Sequence, residues 1–360
     1  MNDTPPRPLK IAHVVVTDRF AGVERYVSDT ANELSRRGHQ IAVIGGATNV
    51  MPKALDQLVQ WDAAQSFSKA LIPLRRLGPL DVVHVHMTLA EAAGLLATLF
   101  RSTALVATRH FAQPRGSGAP GRAFSALFNR VADHQIAISG FVAGTVERPP
   151  ESVIELGTSV SAASYSLESR TVLMVQRLEP EKHGRVGLKA WAESGLGREG
   201  WRLRLLGEGS ELSLLASSAT ELGIDSSVEF VGWTADVREQ LRTAAMVLAT
   251  APTEPFGLSV IEAMSEGVPV VAAAGGGHLE TIGAVPDAPM FEPGNARAAA
   301  QALRRLALDQ TFRTEQSDKV RAHQSRWLTV KRHVNRLEAV YERVVDAGLT
   351  KTRDQRGATA

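Results

Sequence analysis

Residues 9–16 read LKIAHVVV, a short apolar run with no polar alternation, as expected of a strand buried on both faces. A Gly-containing loop, TDRFAG, leads into a helical pattern over residues 23–37, and Gly38 stands where a left-handed residue would end that helix. QIAVIGG (40–46), LDVVHVH (80–86), ALVATRH (104–110) and HQIAIS (134–139) are further apolar runs, most of them separated by helical stretches. Strand and helix in alternation predict a parallel sheet with helices on both faces.

Residues 161–170, SAASYSLESR, are small and polar and break the pattern. The alternation then restarts with TVLMVQ, WRLRLLG, VEFVGW, MVLAT and VPVVAA. The expected fold class is therefore α/β, two doubly wound Rossmann-like domains facing a cleft. The expected divisions are residues 1–165 and 166–325. The apolar spacing of WLTVKRHVNRLEAVYERVV predicts a C-terminal helix over 326–348 that packs back toward the first domain. Residues 349–360 are expected to be a disordered tail.

Composition narrows the class. At 360 residues, two domains are the natural division. A hydrophobic content of 44% with 22% charged residues fits a soluble globular chain. The absence of cysteine excludes disulfides and thiolate metal sites and fits a reducing compartment. Neither a signal peptide nor a membrane span is expected. The net charge of +2 gives no argument for nucleic acid as a partner. A cytoplasmic protein, or one on the inner face of a membrane, is the expectation.

In open parallel sheets, ligands bind outside the C-terminal ends of the strands. After MVLAT comes TEPFGLSVIEAM. Gly257 permits close backbone approach, and a helix starting near Leu258 presents unpaired N–H groups and positive potential, an anion site. Glu254 precedes the turn and Glu262 lies about one turn inside the helix. A nucleotide sugar over this helix end would place ribose hydroxyls at Glu262 and sugar hydroxyls at Glu254. After TVLMVQ come Arg177 and Lys182, a cation pair suited to a diphosphate. GEGS (207–210) and VGW (231–233) follow strands where a nucleobase would lie. GGGHLE (275–280) is a third Gly-rich loop. No G-x-G-x-x-G opens a helix, which disfavours a nicotinamide oxidoreductase.

Taken in order and spacing, RLEPEK, GEG, VGW, EPFGLSVIEAM, GVPVVA and GGGHLE resemble the family-four retaining glycosyltransferases of GT-B fold, and GVERYVSDTANELSRRGHQIAVI and DVVHVH are similar to that family's N-terminal landmarks. The chain departs from the family where Ala21 precedes Gly22, where His183 follows Lys182, and where LGTSV (156–160) replaces a common turn. The resemblance implies transfer of a hexose-type sugar from a UDP- or GDP-sugar with retention of configuration, without metal or other cofactor. It implies that Arg177 and Lys182 hold the donor diphosphate and that Glu262 holds the ribose. It places Glu254 at the transferred sugar, with Phe256, Gly257 and Leu258 at the turn, and Gly22 at the donor phosphates. His110, closing its strand, resembles the family's histidine at the reacting sugar. The other readings are a nucleotide-sugar epimerase on the same fold and a non-catalytic sugar-nucleotide-binding protein.

His84 and His86 alternate on one strand face, but the sequence offers no evident third ligand, so no metal site is expected. Residues 101–132 hold five arginines, Arg101, Arg109, Arg115, Arg122 and Arg130, and no acidic residue. With a Gly/Pro-rich loop and the helical pattern AFSALFNRV, this segment reads in two ways: as an ordinary solvated surface with a mobile loop, or as a face that meets an anionic membrane or a lipid-linked, anionic acceptor.

Overall fold

The computed structural model describes residues 7–99, 101–113, 115, 118–162 and 165–357, with side chains as far as residue 348. The chain forms two compact units, Met1–Gly157 with Val330–Ala360, and Thr158–Thr329.

In the first unit β1 (Lys10–Val15), α1 (Gly22–Arg36), β2 (Gln40–Gly45), α2 (Met51–Ala54), β3 (Gln60–Asp62), α3 (Phe67–Arg76) and β4 (Val82–His86) are followed by α4 (Thr88–Thr98), β5 (Ala104–Arg109), α5 (Gly118–Val131), β6 (His134–Ala137), α6 (Gly140–Thr145) and β7 (Ser152–Val153). The strands form one parallel sheet in the order β3-β2-β1-β4-β5-β6-β7. Every residue of β4 and β5 is buried, which is why β4 reads as an apolar run apart from its histidines and β5 as one that turns polar only at Thr108 and Arg109. Val14, Ile44, Val83, Val85, Leu105 and Phe128 lie in one core cluster.

The second unit runs β8 (Thr171–Val175), α7 (Gly184–Ser194), β9 (Arg202–Leu206), α8 (Leu212–Glu221), β10 (Val228–Gly232), α9 (Val237–Arg242), β11 (Met246–Ala249), α10 (Leu258–Ser265), β12 (Val270–Ala273), β13 (Met290–Phe291), α11 (Ala296–Leu308) and α12 (Gln310–Trp327). Its sheet has the order β10-β9-β8-β11-β12-β13, all parallel. Trp191, Leu203, Leu205, Leu248, Val271 and Leu303 belong to its core.

The last helix, α13 (Val330–Gly357), belongs to the first unit. There Glu338 accepts hydrogen bonds from Arg37 at 2.5 Å and His39 at 2.9 Å. Among the described residues, no helix is long and apolar enough to cross a membrane.

Several boundaries differ from the sequence expectation. The first change of unit falls after Gly157, not residue 165, and two described residues of the expected linker are tied into the second unit: Ser161 Oγ donates to Glu266 at 2.6 Å, and Tyr165 donates to the Ala245 carbonyl. The helix expected over 326–348 is cut by a break between Trp327 and Val330, where the chain returns to the first unit. Its backbone is helical to Gly357, well into the segment expected as a disordered tail; residues 358–360 lie outside the described ones.

Candidate active site

In both sheets the strand order reverses direction at one point, between β1 and β4 in the first unit and between β8 and β11 in the second. Loops leaving the C-terminal ends of two such strands diverge to opposite faces and leave a crevice. The loops after β8 and β11 carry the residues singled out in the second unit, so the topology alone makes them neighbours.

Side chains join these two loops. Lys182 Nζ donates to Glu254 Oε2 at 2.6 Å, with only 14% and 17% of the two side chains exposed. Thr250 Oγ1, at the end of β11, donates to the Lys182 carbonyl at 2.7 Å. Lys182 ends a 3₁₀ turn over Pro180–Lys182, and His183 adopts the left-handed region with φ +52°. A lysine followed by glycine would meet that backbone requirement without a Cβ penalty. Arg177 stands at the rim, half exposed, with Nη2 2.6 Å from Glu181 Oε1.

Gly257 has φ +95°, and α10 begins at the next residue, Leu258. The first N–H groups of α10 lack intrahelical acceptors and give that end a positive potential. Glu262, half-buried, lies one turn along. Phe256 is buried to 2% exposure, so its ring belongs to the core and only its backbone is available to a ligand.

The triple glycine after β12 holds this turn. A Cβ on Gly275 would stand 2.0 Å from the Pro252 carbonyl oxygen, on Gly276 2.4 Å from that of Glu254, and on Gly277 2.5 Å from Phe256 Cα. Gly277 N–H also donates to the Glu254 carbonyl at 2.6 Å. These glycines therefore serve close backbone packing. The next residue, His278, is buried, and burial lowers its pKa. Its Nδ1 is 3.1 Å from the Ala273 carbonyl, and its Nε2 would lie 3.5 Å from a Cβ built on Gly257. Nothing in the loop's sequence beyond its glycines marks this histidine.

In the first unit, His110 follows β5 and lines a cavity of about 320 Å³ with Thr88, Glu91, Arg109, Phe111 and Gln113 among its neighbours. Met87, also at this cavity, has φ +71° in the turn after His86. Gly22 is the first residue of α1, whose start is closed by Glu24 Oε2 accepting from Ala21 N–H at 2.8 Å.

Arg115, which both readings place at the surface, is instead buried. It donates to Glu91 at 2.5 Å, Gln135 at 2.6 Å, Asn129 at 2.7 Å and Glu147 at 3.0 Å. Arg109 is buried as well and donates to Glu147 at 3.2 Å. Partial burial opposes ionisation of Glu147, but hydrogen bonds from Ser125 and Arg109 outweigh it and hold the pKa at about 2. Two of the five arginines thus form an internal ion network. Arg101, Arg122 and Arg130 are exposed.

The structure also gives His84 and His86 the neighbour the sequence did not reveal. His13 on β1 is paired in register with His84, and ligand atoms of the three lie within 4.8 Å of one another.

Residues 163–323 match the family model described as Glycosyl transferases group 1, and residues 20–156 match that described as Glycosyltransferase Family 4. The chain belongs to the group 1, family-4-type glycosyltransferases of GT-B fold. It is 29% identical over 321 residues to D-inositol 3-phosphate glycosyltransferase of Mycolicibacterium smegmatis, covering 72% of this chain and 73% of that one. It is 30% identical over 117 residues to the lipopolysaccharide core biosynthesis glycosyltransferase LpsE of Rhizobium meliloti, covering 32% and 34%. The first curated relatives are matched over only 17% to 34% of their own length. Among solved structures, Anabaena HepE in complex with UDP-glucose aligns with a TM-score of 0.76 at 21% identity, over 93% of this chain and 99% of that one.

Proposed function

We propose that the protein transfers a hexose-type sugar from a nucleoside diphosphate sugar to an acceptor, with retention of configuration and with its own cations, not a metal ion, at the leaving group. The observation that carries this reading is the meeting of Lys182, Glu254 and the start of α10 at the reversal point of one parallel sheet.

The chemistry follows from these groups. The donor diphosphate lies across the Lys182 ammonium and the first N–H groups of α10, with Arg177 closing from the rim. Charge developing on the leaving phosphate meets donors already in place, so little reorganisation is needed. Lys182 now spends its charge on Glu254. A bound diphosphate takes over the ammonium, and the released carboxylate accepts from hydroxyls of the sugar. Glu262 receives the ribose. Gly22 offers backbone to the donor phosphates, and His110 acts at the reacting sugar, as the family resemblance implies. Retention then arises by same-face attack, with the leaving phosphate taking the acceptor's proton. The complex of HepE with UDP-glucose supports a nucleotide-sugar donor. The relatives' names point to phosphorylated or glycolipid acceptors. An anionic or lipid-linked acceptor at a membrane surface fits the exposed face of α5, where Arg122, Leu127 and Arg130 lie.

The test is a transfer assay with UDP- and GDP-sugars against inositol phosphate and lipid-linked saccharides in the presence of a chelator, with the product anomer read by NMR. Acceptor-dependent release of the nucleoside diphosphate and a retained anomer are expected. Inversion, or sugar interconversion without acceptor, would overturn the proposal.

A further inference from the structure

Three strands of the first unit place three imidazoles in a hydrogen-bonded line. His13 Nδ1 is 3.1 Å from His86 Nε2, and His86 Nδ1 is 3.1 Å from His110 Nε2. The first link is well formed. The two ring planes are 1° apart and the centroids 5.4 Å apart, which is the N···N distance plus the two ring radii, so the bond lies in both ring planes. The second link joins rings tilted by 53°. The inner end of the line is His13 Nε2, which is fully buried and has no hydrogen-bond partner. The outer end is His110, at the cavity lined by Thr88, Glu91 and Gln113. With Nε2 engaged by His86, the ring nitrogen that His110 has left for a ligand is Nδ1.

Each link needs one N–H and one lone pair, and a neutral imidazole carries one of each. Two arrangements satisfy both links. In one, the protons sit on Nδ1 of all three rings, and the unpartnered buried atom His13 Nε2 is a bare lone pair. In the other they sit on all three Nε2 atoms, and His13 carries a buried N–H with nothing to accept it. An orphaned buried N–H is the rarer and costlier of the two. A protonated ring would put an uncompensated cation among histidines and tyrosines.

We propose that His86 and His13 are positioning residues that lock His110 in the tautomer with its proton on Nδ1, so that it presents an N–H donor, not a base, to the ligand in the adjoining cavity. The line ends blind at His13, so it fixes a tautomer and does not conduct protons. His110 then donates to an oxygen of the sugar or acceptor and takes no part in deprotonating the attacking hydroxyl. This catalytic consequence rests on the function proposed above; the lock itself does not.

The same histidines include the trio His13, His84 and His86. Their use as metal ligands is the less favoured reading. His84 already has both ring nitrogens bonded, Nδ1 to the Tyr341 hydroxyl at 2.6 Å and Nε2 to Thr108 Oγ1 at 2.7 Å. A metal would have to break one of these bonds as well as the His13–His86 link.

The experiment is NMR of the full chain labelled with ¹⁵N-histidine, with the His110 ring signals assigned by their loss in His110→Gln. In the unsubstituted chain His110 is expected to show a protonated Nδ1 and an unprotonated Nε2. In His13→Phe, which keeps a planar ring without nitrogen, the line ends instead at His86 Nε2 as the buried lone pair, so the same pattern should persist. His13→Asp, whose ionised carboxylate accepts and cannot donate, should draw the proton of each remaining ring to Nε2 and so reverse the pattern on His110. Metal analysis of the same samples separates the other reading. A protonated Nε2 on His110 in the unsubstituted chain overturns the proposal whether or not the variants fold. So does an equivalent of zinc that is held by the chain and lost in His13→Phe. Failure of the transfer assay leaves these readouts intact, so the two proposals fail separately.

Discussion

Lys182 Nζ lies 2.6 Å from Glu254 Oε2, and the two residues come from loops separated by seventy-odd positions of sequence and brought together by the adjacency of β8 and β11. The pair is mostly buried, so each charge is the other's main compensation. Under the proposed function, removing the lysine deletes a cation beside the diphosphate and leaves the Glu254 carboxylate without its partner. Lys182→Ala is expected to lower kcat by about 100-fold or more, the cost of one preorganised charge contact. Arg177 is half exposed and, among the described residues, tethered to Glu181, and its loss should cost about tenfold. Steady-state kinetics on both variants checks the order. Near-normal turnover in Lys182→Ala would remove this loop from the diphosphate site.

Under the proposed function, the two glutamates divide the donor between them. Glu262→Ala should weaken binding of the free nucleoside diphosphate by about tenfold, the loss of one or two hydrogen bonds to a charged group. Glu254→Ala should leave that affinity unchanged or improve it, since Lys182 is then unpaired, while transfer collapses. Calorimetric titration with the nucleotide alone decides this. The reverse pattern would mean that the nucleotide lies the other way across α10.

The contrast between these residues and the histidine line shows what a sequence can convey. Apolar runs marked β1, β2, β4, β5 and β6 because strands buried on both faces have no polar alternation to obscure them. The two- and three-residue strands β3, β7 and β13 carry too few side chains to form a pattern. The turn at Gly257 and the helix that carries Glu262 were legible because they are local in sequence, with Glu254 just ahead of them. His13 was not, because its relation to His86 is set by the β1–β4–β5 strand order and the register that pairs His13 with His84. Arg115 looked like a surface charge because its partners, Glu91, Asn129, Gln135 and Glu147, are scattered over the chain.

Buried histidines make stability depend on pH. Burial holds His13 and His110 at about 3 and His333 at about 4, against 6.5 for an exposed ring. Between those values the unfolded chain binds more protons, so this contribution is complete above pH 6.5 and is lost as pH falls. Each ring adds a slope of about 1.4 kcal/mol per pH unit, and three give about 4. Urea unfolding at pH 7.5, 5.5 and 4.5 should show the fall, and His13→Phe should make it shallower by about 1.4 kcal/mol per pH unit. Stability unchanged from pH 7.5 to 4.5 would contradict neutral, buried rings.

The arginines of the first unit should separate into two kinds. Arg115→Ala strands Glu91 in the interior and is expected to cost about 3–5 kcal/mol of stability. Arg122→Glu and Arg130→Glu lie on the exposed face of α5 and should leave the unfolding midpoint nearly unchanged. They should reduce co-sedimentation with anionic vesicles, and the binding lost should be the fraction that salt also removes. Equal sedimentation with neutral and anionic vesicles would assign α5 no membrane role.

The central claim is that the second unit holds a nucleoside diphosphate between Lys182 and the start of α10. Thermal unfolding of the intact chain with UDP and with GDP tests it without knowledge of sugar or acceptor. At a nucleotide concentration 100 times its dissociation constant, the chain should gain about 2.7 kcal/mol with one of the two, and that gain should shrink in Lys182→Ala. No shift with either nucleotide, or an equal shift in the chain and in Lys182→Ala, would contradict it.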